Sequence, residues 1–239
     1  MAPKKKRRKR NWLINGLLLL LLLVGLALIF NNQIKNFLIQ HNGEKYAVAN
    51  VTKDQIAKNA QQAASFDFDA VQPASTEAVI QAQLSNKRLP VIGGVAIPSV
   101  KINLPIFKGL SNEALLYGAG TLEPDQKMGE GNYALASHRA AEPELLFTPL
   151  ERMNVGDQIF ITDLTNIYTY DTTLKVRVQP TEVQYLDTLP DKKQITLVTC
   201  GEIEGVTRIV VQGELKKVTP IKKASTEMLN AFQMAQRTY

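Results

Sequence analysis

The sequence predicts an all-β domain, a closed barrel or a sandwich, behind one long N-terminal apolar helix. Three observations carry this. About seven short β-rich runs, separated by turn residues, follow one another between residues 90 and 217. Helical periodicity in that region is confined to short pieces near Asn112–Tyr117 and Glu144–Leu150. And residues 12–30 form 19 consecutive positions without a charge. Many short strands at regular spacing with Gly and Pro punctuation mark barrels and sandwiches.

The chain starts with a basic run, Lys4 to Arg10, whose seven charges exceed the net charge of +6 on the whole chain. The remaining residues therefore sum to −1, so the body of the protein has no basic field to hold a polyanion, and a nucleic-acid partner is not expected. Trp12 to Phe30 includes seven consecutive leucines, Leu17 to Leu23. At ~1.5 Å per residue the run spans roughly 28 Å, close to the ~30 Å hydrocarbon layer of a bilayer. Trp12 stands where an interfacial aromatic belongs. The basic run by itself resembles a nuclear localisation signal, but it abuts the apolar run. A cleaved signal peptide would have a shorter apolar core and a small-residue cleavage site, whereas Asn31, Asn32 and Gln33 follow here. An uncleaved anchor is the reading adopted. The positive-inside rule then keeps residues 1–11 cytoplasmic and puts everything past the span outside the cell.

Residues 31–88 read as a stalk or linker, 89–217 as the β-domain and 218–239 as a tail. Within the stalk, Asp54 to Ala64 has helical composition, with Thr52 as its cap. SFDFDAVQPAS then alternates and breaks at a proline. The strand candidates are VIGGVAIPSV, KINLPIF, NYALASH, QIFITD, IYTYDTTLKVRVQP, QITLVTC and TRIVVQGEL. Turns are expected at NVGD, 154–157, and LPDKK, 189–193. In the tail, Ser225 to Gln236 reads as an amphipathic, surface-packed helix with Met228, Leu229, Phe232 and Met234 partly on one face.

Chemistry is concentrated in few residues. Cys200 is the only cysteine and there are two histidines. An intrachain disulfide and a Cys-rich metal site are excluded, and a His-rich one is not expected. Cys200 ends the strand QITLVTC and opens into a polar loop, a position where a rigid element presents an active side chain. A thiol needs a base to become a nucleophile. His41 lies in the polar HNGEK segment of the stalk, so His138, at the end of NYALASH, is the candidate partner. Acyl transfer also needs stabilisation of an oxyanion. Arg208 opens the strand that pairs with QITLVTC through the GEIEGVT hairpin, which brings its guanidinium near Cys200. Arg139 neighbours His138 but points to the other face of its strand. Arg177, in an alternating strand, reads as a solvated face residue.

These residues resemble a known family. Thr196-Leu197-Val198-Thr199-Cys200 is similar to the TLxTC motif of sortases, Ala136-Ser137-His138 to their histidine strand, and Arg208, eight residues past the cysteine, to the arginine of streptococcal-type enzymes. The stretch ending VQGEL resembles their last strand, and SFDFDAV their pre-barrel segment. The resemblance covers roughly residues 65–217, and with the N-terminal anchor it points to class A, the housekeeping group. A lid segment and a C-terminal anchor, usual in the pilus-building class, are not read here.

The resemblance implies an eight-stranded barrel with a Cys–His–Arg site. It implies cleavage of LPxTG-type sorting signals between Thr and Gly through a thioester on Cys200. His138 would serve as acid and base, and Arg208 would hold substrate and oxyanion. The acceptor would be the amine of a peptidoglycan precursor, lipid II-like. By the same resemblance, Leu110, Leu122, Ala136, Val183, Tyr185, Val198 and Thr199 line the peptide groove. No cofactor is expected. The calcium site of some class A enzymes is incomplete, with Glu123 and Glu130 present but Gln126 between them and Thr188 where an acid would stand; Ca²⁺ wants several carboxylates. Two other readings compete with the enzyme: a tethered β-domain that binds a wall peptide without chemistry, and a nuclear protein led by the basic run.

Overall fold

A computed structural model describes residues 5–30, 45–68, 70–72, 76–84 and 88–238. Two compact units divide the chain near residue 39, and each is described by itself.

The first unit is a single helix, α1, Lys5–Ile29. Its stretch Asn11–Ile29 is long and apolar enough to cross a membrane, and its leucines are exposed rather than packed against protein. A stretch that is apolar all round is suited to lipid.

The second unit is a closed barrel of eight strands. They are β1 (Val91–Ile97), β2 (Ile102–Phe107), β3 (Ala119–Thr121), β4 (Asn132–Ala136), β5 (Gln158–Thr162), β6 (Asn166–Val178), β7 (Gln194–Cys200) and β8 (Arg208–Pro220). The order around the barrel is β1-β2-β3-β4-β7-β8-β6-β5, with β5 closing back onto β1. The seven runs expected from sequence all form strands. The eighth, β3, is three residues long and carries no alternation that a sequence could reveal; its parallel pairing with β2 is set by the crossover through α4, Asn112–Tyr117. That helix forms where the periodicity puts it, capped by the Ser111 hydroxyl, which accepts from the Ala114 N–H. The second expected helical piece, Glu144–Leu150, is instead a 3₁₀ turn at Thr148–Arg152.

β1, β2, β4 and β7 are buried along nearly their whole length, because the barrel core covers one face and connecting segments the other. Tyr170, Phe107, Phe147, Phe160 and Leu135 are among the largest fully buried side chains. β6 and β8 are long and alternate, so one face of each meets solvent. Closure leaves no free sheet edge.

Both segments flanking the barrel depart from the expected stalk and tail. Helix α2, Lys53–Asn59, carries a capping box between Thr52 and Gln55, as the Thr52 cap predicts. It is not a free stalk element: Ile56 and the preceding Val48 are buried, and the Asn59 amide donates to the Val91 carbonyl at 2.8 Å. A Cβ on Gly94 of β1 would meet Val48 Cγ1 at 2.9 Å, so the glycine is what lets this segment lie on the barrel. Helix α3, Thr76–Leu84, precedes β1. At the other end, β8 runs on to Pro220, and the expected helix shortens to α5, Thr226–Ala231. Phe232, Gln236 and Thr238 are buried, and the Asn103 amide of β2 donates to the carbonyls of Phe232, at 3.1 Å, and Met234. The tail is thus part of the folded body, held by buried backbone that sequence periodicity does not register.

Candidate active site

The site is assembled where β4, β7 and β8 end together. β4 and β7 run parallel with Ala136 beside Val198, and β7 and β8 run antiparallel with Cys200 directly opposite Arg208. Directly opposed residues in an antiparallel pair share a face. His138 lies two residues beyond β4. Its approach is fixed by backbone and hydroxyl bonds: the Ser137 N–H donates to the Val198 carbonyl at 3.2 Å, Thr199 Oγ1 donates to the Ser137 carbonyl at 2.9 Å, and Ser137 Oγ donates to the Gly118 carbonyl at 2.7 Å. The TLVTC strand therefore does two jobs. Its last residue is the thiol, and its threonine before that ties the histidine strand in place.

Cys200, His138 and Arg208 line one small cavity of about 40 Å³, together with Ala136, Ser137, Val198, Thr199, Leu115, Phe68 and Val71. Cys200 is a free thiol and partly accessible. His138 is buried, and burial pushes its imidazole down to about 4, so the side chain is neutral at pH 7. Arg208 is held by its own loop: Nη1 donates to the carbonyls of Gly205, at 2.6 Å, and Thr207, at 3.0 Å. Its Nε is buried without a hydrogen-bond partner among the described residues. The Phe68 ring lies 5.9 Å from the guanidinium carbon, a cation–π contact.

The loop between Cys200 and Arg208 is pinned by charge. Glu202 accepts from the Thr207 N–H at 2.9 Å and pairs with Arg177, which also contacts Thr207 Oγ1 at 3.0 Å and Glu151 at 2.9 Å. Arg139 completes the chain by pairing with the other oxygen of Glu151 at 2.6 Å. The Thr207 hydrogen bond, ahead of the arginine charges, holds the Glu202 carboxyl below the usual carboxylate range. Arg177 keeps the exposed face position that its alternating strand suggests, and there the loop folds back to pair with it.

A larger cavity, about 300 Å³, adjoins the first through Phe68, Val198 and Arg208. Leu122, Val183, Tyr185 and Val198 line it, as the groove reading expects. Ala136, Val198 and Thr199 line the small cavity. Leu110 does not line either: it is buried in a cluster with Leu115, Leu122, Ala134 and Val210, beneath the groove floor. Thr199 is buried and its hydroxyl is committed to Ser137. The Tyr185 carbonyl accepts from the Asn132 and Gln212 amides, each at 2.9 Å, and from Thr196 Oγ1 at 3.2 Å, which fixes the groove wall to three strands. Sequence reading did not single out Phe66, Phe68, Pro180 or Leu186, which also line the groove. The signal for the first two was available, since alternation in SFDFDAV puts both phenylalanines on one side.

The loop considered for calcium borders a third cavity, about 560 Å³, lined by Glu123, Asp125, Gln126, Glu130, Asp187 and Thr188 among others. Gln126 is committed within the protein: its amide N donates to the Ala134 carbonyl at 2.9 Å and its oxygen accepts from the Glu123 N–H at 3.1 Å. Asp125 and Asp187 are acids on this rim that the sequence reading did not weigh. Among the described residues no group of three or more His, Cys, Asp or Glu side chains is arranged to hold a metal ion.

Fold and site together define a class: a closed eight-stranded β-barrel with a cysteine, a histidine and an arginine meeting at one rim. Comparison with known proteins makes the class specific. Residues 95–216 match the Sortase domain family. The chain is 45% identical to "Sortase A" of Streptococcus agalactiae over 221 residues, 90% of each chain. It is 38% identical to "Sortase A" of Listeria monocytogenes over 206 residues, 86% of this chain and 92% of that one. The crystal structure of Listeria monocytogenes sortase A superposes with a TM-score of 0.55 at 40% identity, covering 59% of this chain and 96% of that one. The chain belongs to the sortase family, class A, with streptococcal affinity, and is a sortase A-type cysteine transpeptidase.

Proposed function

We propose that this enzyme cleaves LPxTG-type sorting signals between Thr and Gly and joins the threonine carbonyl to the amine of a peptidoglycan precursor, lipid II-like, anchoring surface proteins to the cell wall. The observation that carries the reading is the pairing of Cys200 with Arg208 across β7 and β8, with His138 on the same cavity.

His138, neutral at pH 7, takes the Cys200 proton as Sγ attacks the threonine carbonyl. A C–S bond forms and the carbonyl oxygen becomes an oxyanion, to which the Arg208 guanidinium donates. The C–N bond to glycine then breaks, with the proton passing from His138 to the leaving amine, and a thioester remains. An incoming amine attacks the thioester and gives its proton to His138. Cys200 leaves as thiolate and recovers a proton from His138. Water taking the place of the amine gives hydrolysis, the lesser route. The apolar cavity of Leu122, Val183, Tyr185 and Val198 suits the Leu and Pro of the signal.

Orientation follows from the basic run: N-terminus cytoplasmic, one membrane-embedded helix, catalytic domain on the outer face. The reaction needs no cofactor, and activity is calcium-independent because Gln126 puts a neutral, already bonded amide in the acidic loop.

A fluorogenic LPxTG peptide tests the reading with wild type and the variants Cys200→Ala, His138→Ala and Arg208→Ala, with and without Ca²⁺ and an amine acceptor. Cleavage by wild type, loss in each variant and product transfer to the amine are expected. An active Cys200→Ala enzyme, or full activity after methanethiosulfonate labelling, overturns the catalytic thiol. Strong activation by Ca²⁺ overturns the calcium reading alone.

A further inference from the structure

His138 sits at the mouth of a loop, and the far end of the chain holds that loop. After His138 the backbone leaves the barrel, turns through residues 139–147 and returns. The Phe147 N–H donates to the His138 carbonyl at 3.3 Å, and Arg139 and Leu146 form an isolated antiparallel bridge. Leu146 has a left-handed backbone, φ +51°, and is buried. A branched residue does not hold that conformation by local preference, so surrounding contacts must impose it. The contact that does so comes from the C-terminus: the Leu146 N–H donates to the Arg237 carbonyl at 2.8 Å.

The Arg237 side chain grips the same loop. Its Nη1 lies 2.6 Å from Glu144 Oε2, while the other oxygen of Glu144 pairs with Arg152 at 2.9 Å, and Arg152 Nη1 donates to the Pro143 carbonyl at 3.0 Å. A single half-exposed ion pair contributes little to stability. Here its consequence is geometric, because the carboxylate is fixed from two sides and the neighbouring backbone is bonded to the same arginine. The arginine is in turn fixed by its surroundings, since Gln236 and Thr238 on either side are buried and Asn103 of β2 holds the chain just upstream. A line of contacts therefore runs from the barrel wall through the C-terminal segment into the loop that follows the histidine.

We infer that Arg237 and the C-terminal segment bearing it position His138 for proton transfer, by holding the loop 139–147 in its left-handed turn. Arg237 touches neither thiol nor substrate groove and acts only through this loop. The inference rests on the acid and base role proposed for His138. A misplacement of about 1 Å at a reacting group can cost on the order of a hundredfold in rate, so loosening this brace lowers kcat while peptide binding in the groove is kept.

The test uses the full chain in detergent micelles. Four variants are compared with wild type: Arg237→Ala, Arg237→Lys, Glu144→Gln and a chain ending at Met234. Rates are normalised to titratable Cys200 thiol in the folded fraction. The His138 ring signal is followed by NMR, the chain having two histidines, with His41→Gln to assign them. A fall of about tenfold in kcat at nearly constant peptide KM is expected for Arg237→Ala and Glu144→Gln. Displacement or broadening of the His138 signal should accompany it, and Arg237→Lys should restore part of both. The shortened chain extends the series, and Glu144→Gln decides the matter if that chain fails to fold. An unmoved His138 signal, or an unchanged normalised kcat, in both point variants overturns the inference. If wild type itself turns over no peptide, the proposed reaction fails instead, and the NMR signal still decides whether Arg237 positions His138.

Discussion

Cys200 and Arg208 stand directly opposite each other across the β7–β8 ladder, at the point where the two strands part into a seven-residue loop. The pairing puts thiol and guanidinium on one face at a separation that strand geometry, not loop conformation, sets. The loop then turns back over both. A Cβ built on Gly205 would lie 3.7 Å from Cys200 Sγ and 3.6 Å from an Arg208 guanidinium nitrogen.

Gly205 is consequently expected to resist substitution. Its φ of +69° is in the left-handed region, where any side chain is strained, and its carbonyl receives the Arg208 donor. Gly205→Ala should lower kcat/KM by about tenfold with little change in thermal unfolding, through a displaced guanidinium. Steady-state kinetics beside a melting curve checks this; wild-type kinetics would show that the loop adapts.

Arg208→Lys should be nearly as damaging as Arg208→Ala. Arg208 spends one nitrogen on two carbonyls of its own loop and keeps its buried Nε as a further donor, a division that one ammonium cannot copy. Loss of an oxyanion donor costs on the order of 10²–10³ in rate. Acylation of Cys200 under single-turnover conditions isolates that step, and a lysine variant acylating at the wild-type rate would remove the guanidinium from the mechanism.

Glu202→Ala should loosen the loop without touching the site. The carboxylate ties the Thr207 N–H to Arg177, and Arg177 leads on to Glu151 and Arg139. A fall of a few-fold in kcat is expected, and Arg177→Met should give no additional loss in the double variant, since both cuts break one network. Additive losses in the double-mutant cycle would mean that the two residues act independently.

The imidazole of His138 predicts a pH dependence of stability. Burial lowers its folded-state value to about 4, against about 6.5 unfolded. As pH falls from 6.5 toward 4, the unfolded chain binds a proton that the folded chain does not, so stability drops over that window. The full effect is on the order of 3 kcal/mol at pH 4, an upper figure. Urea unfolding between pH 7 and 4 should show a shallower decline in His138→Gln than in wild type; parallel declines would place the loss on carboxylates instead.

Phe68→Ala should open the site. The ring borders both cavities and lies over the Arg208 guanidinium. Bulky maleimides should label Cys200 faster in the variant, while a small alkylating reagent should react at a similar rate in both. Equal labelling by the bulky reagent would show that Phe68 does not limit access.

Much of this protein was legible in local pattern. β-rich runs and turn residues mark seven of the eight strands, because each strand has at least one buried side that its own sequence must supply. The apolar run of α1 is equally local. The three site candidates were accessible because they are rare or sit at element ends: one cysteine, one histidine in the β-domain and an arginine opening the strand that pairs with the cysteine's. Leu110 packs under the cavity rather than on its lining, since core and groove leucines are alike apolar and only packing shows which one faces the cavity.

What the sequence by itself determined is most of the elements and which candidate reactive groups stand at their ends, since these depend on residue type and on spacing over a few positions. Tertiary structure alone decided their surroundings. The three-residue β3, the packing of Val48 and Ile56 on the barrel, the fold of Glu202 back onto Arg177, Phe68 above the guanidinium and the grip of Arg237 on the loop beyond His138 all join residues distant in the chain. Such contacts form only when barrel closure brings those segments within reach, and no periodicity within a segment encodes which remote partner it will meet.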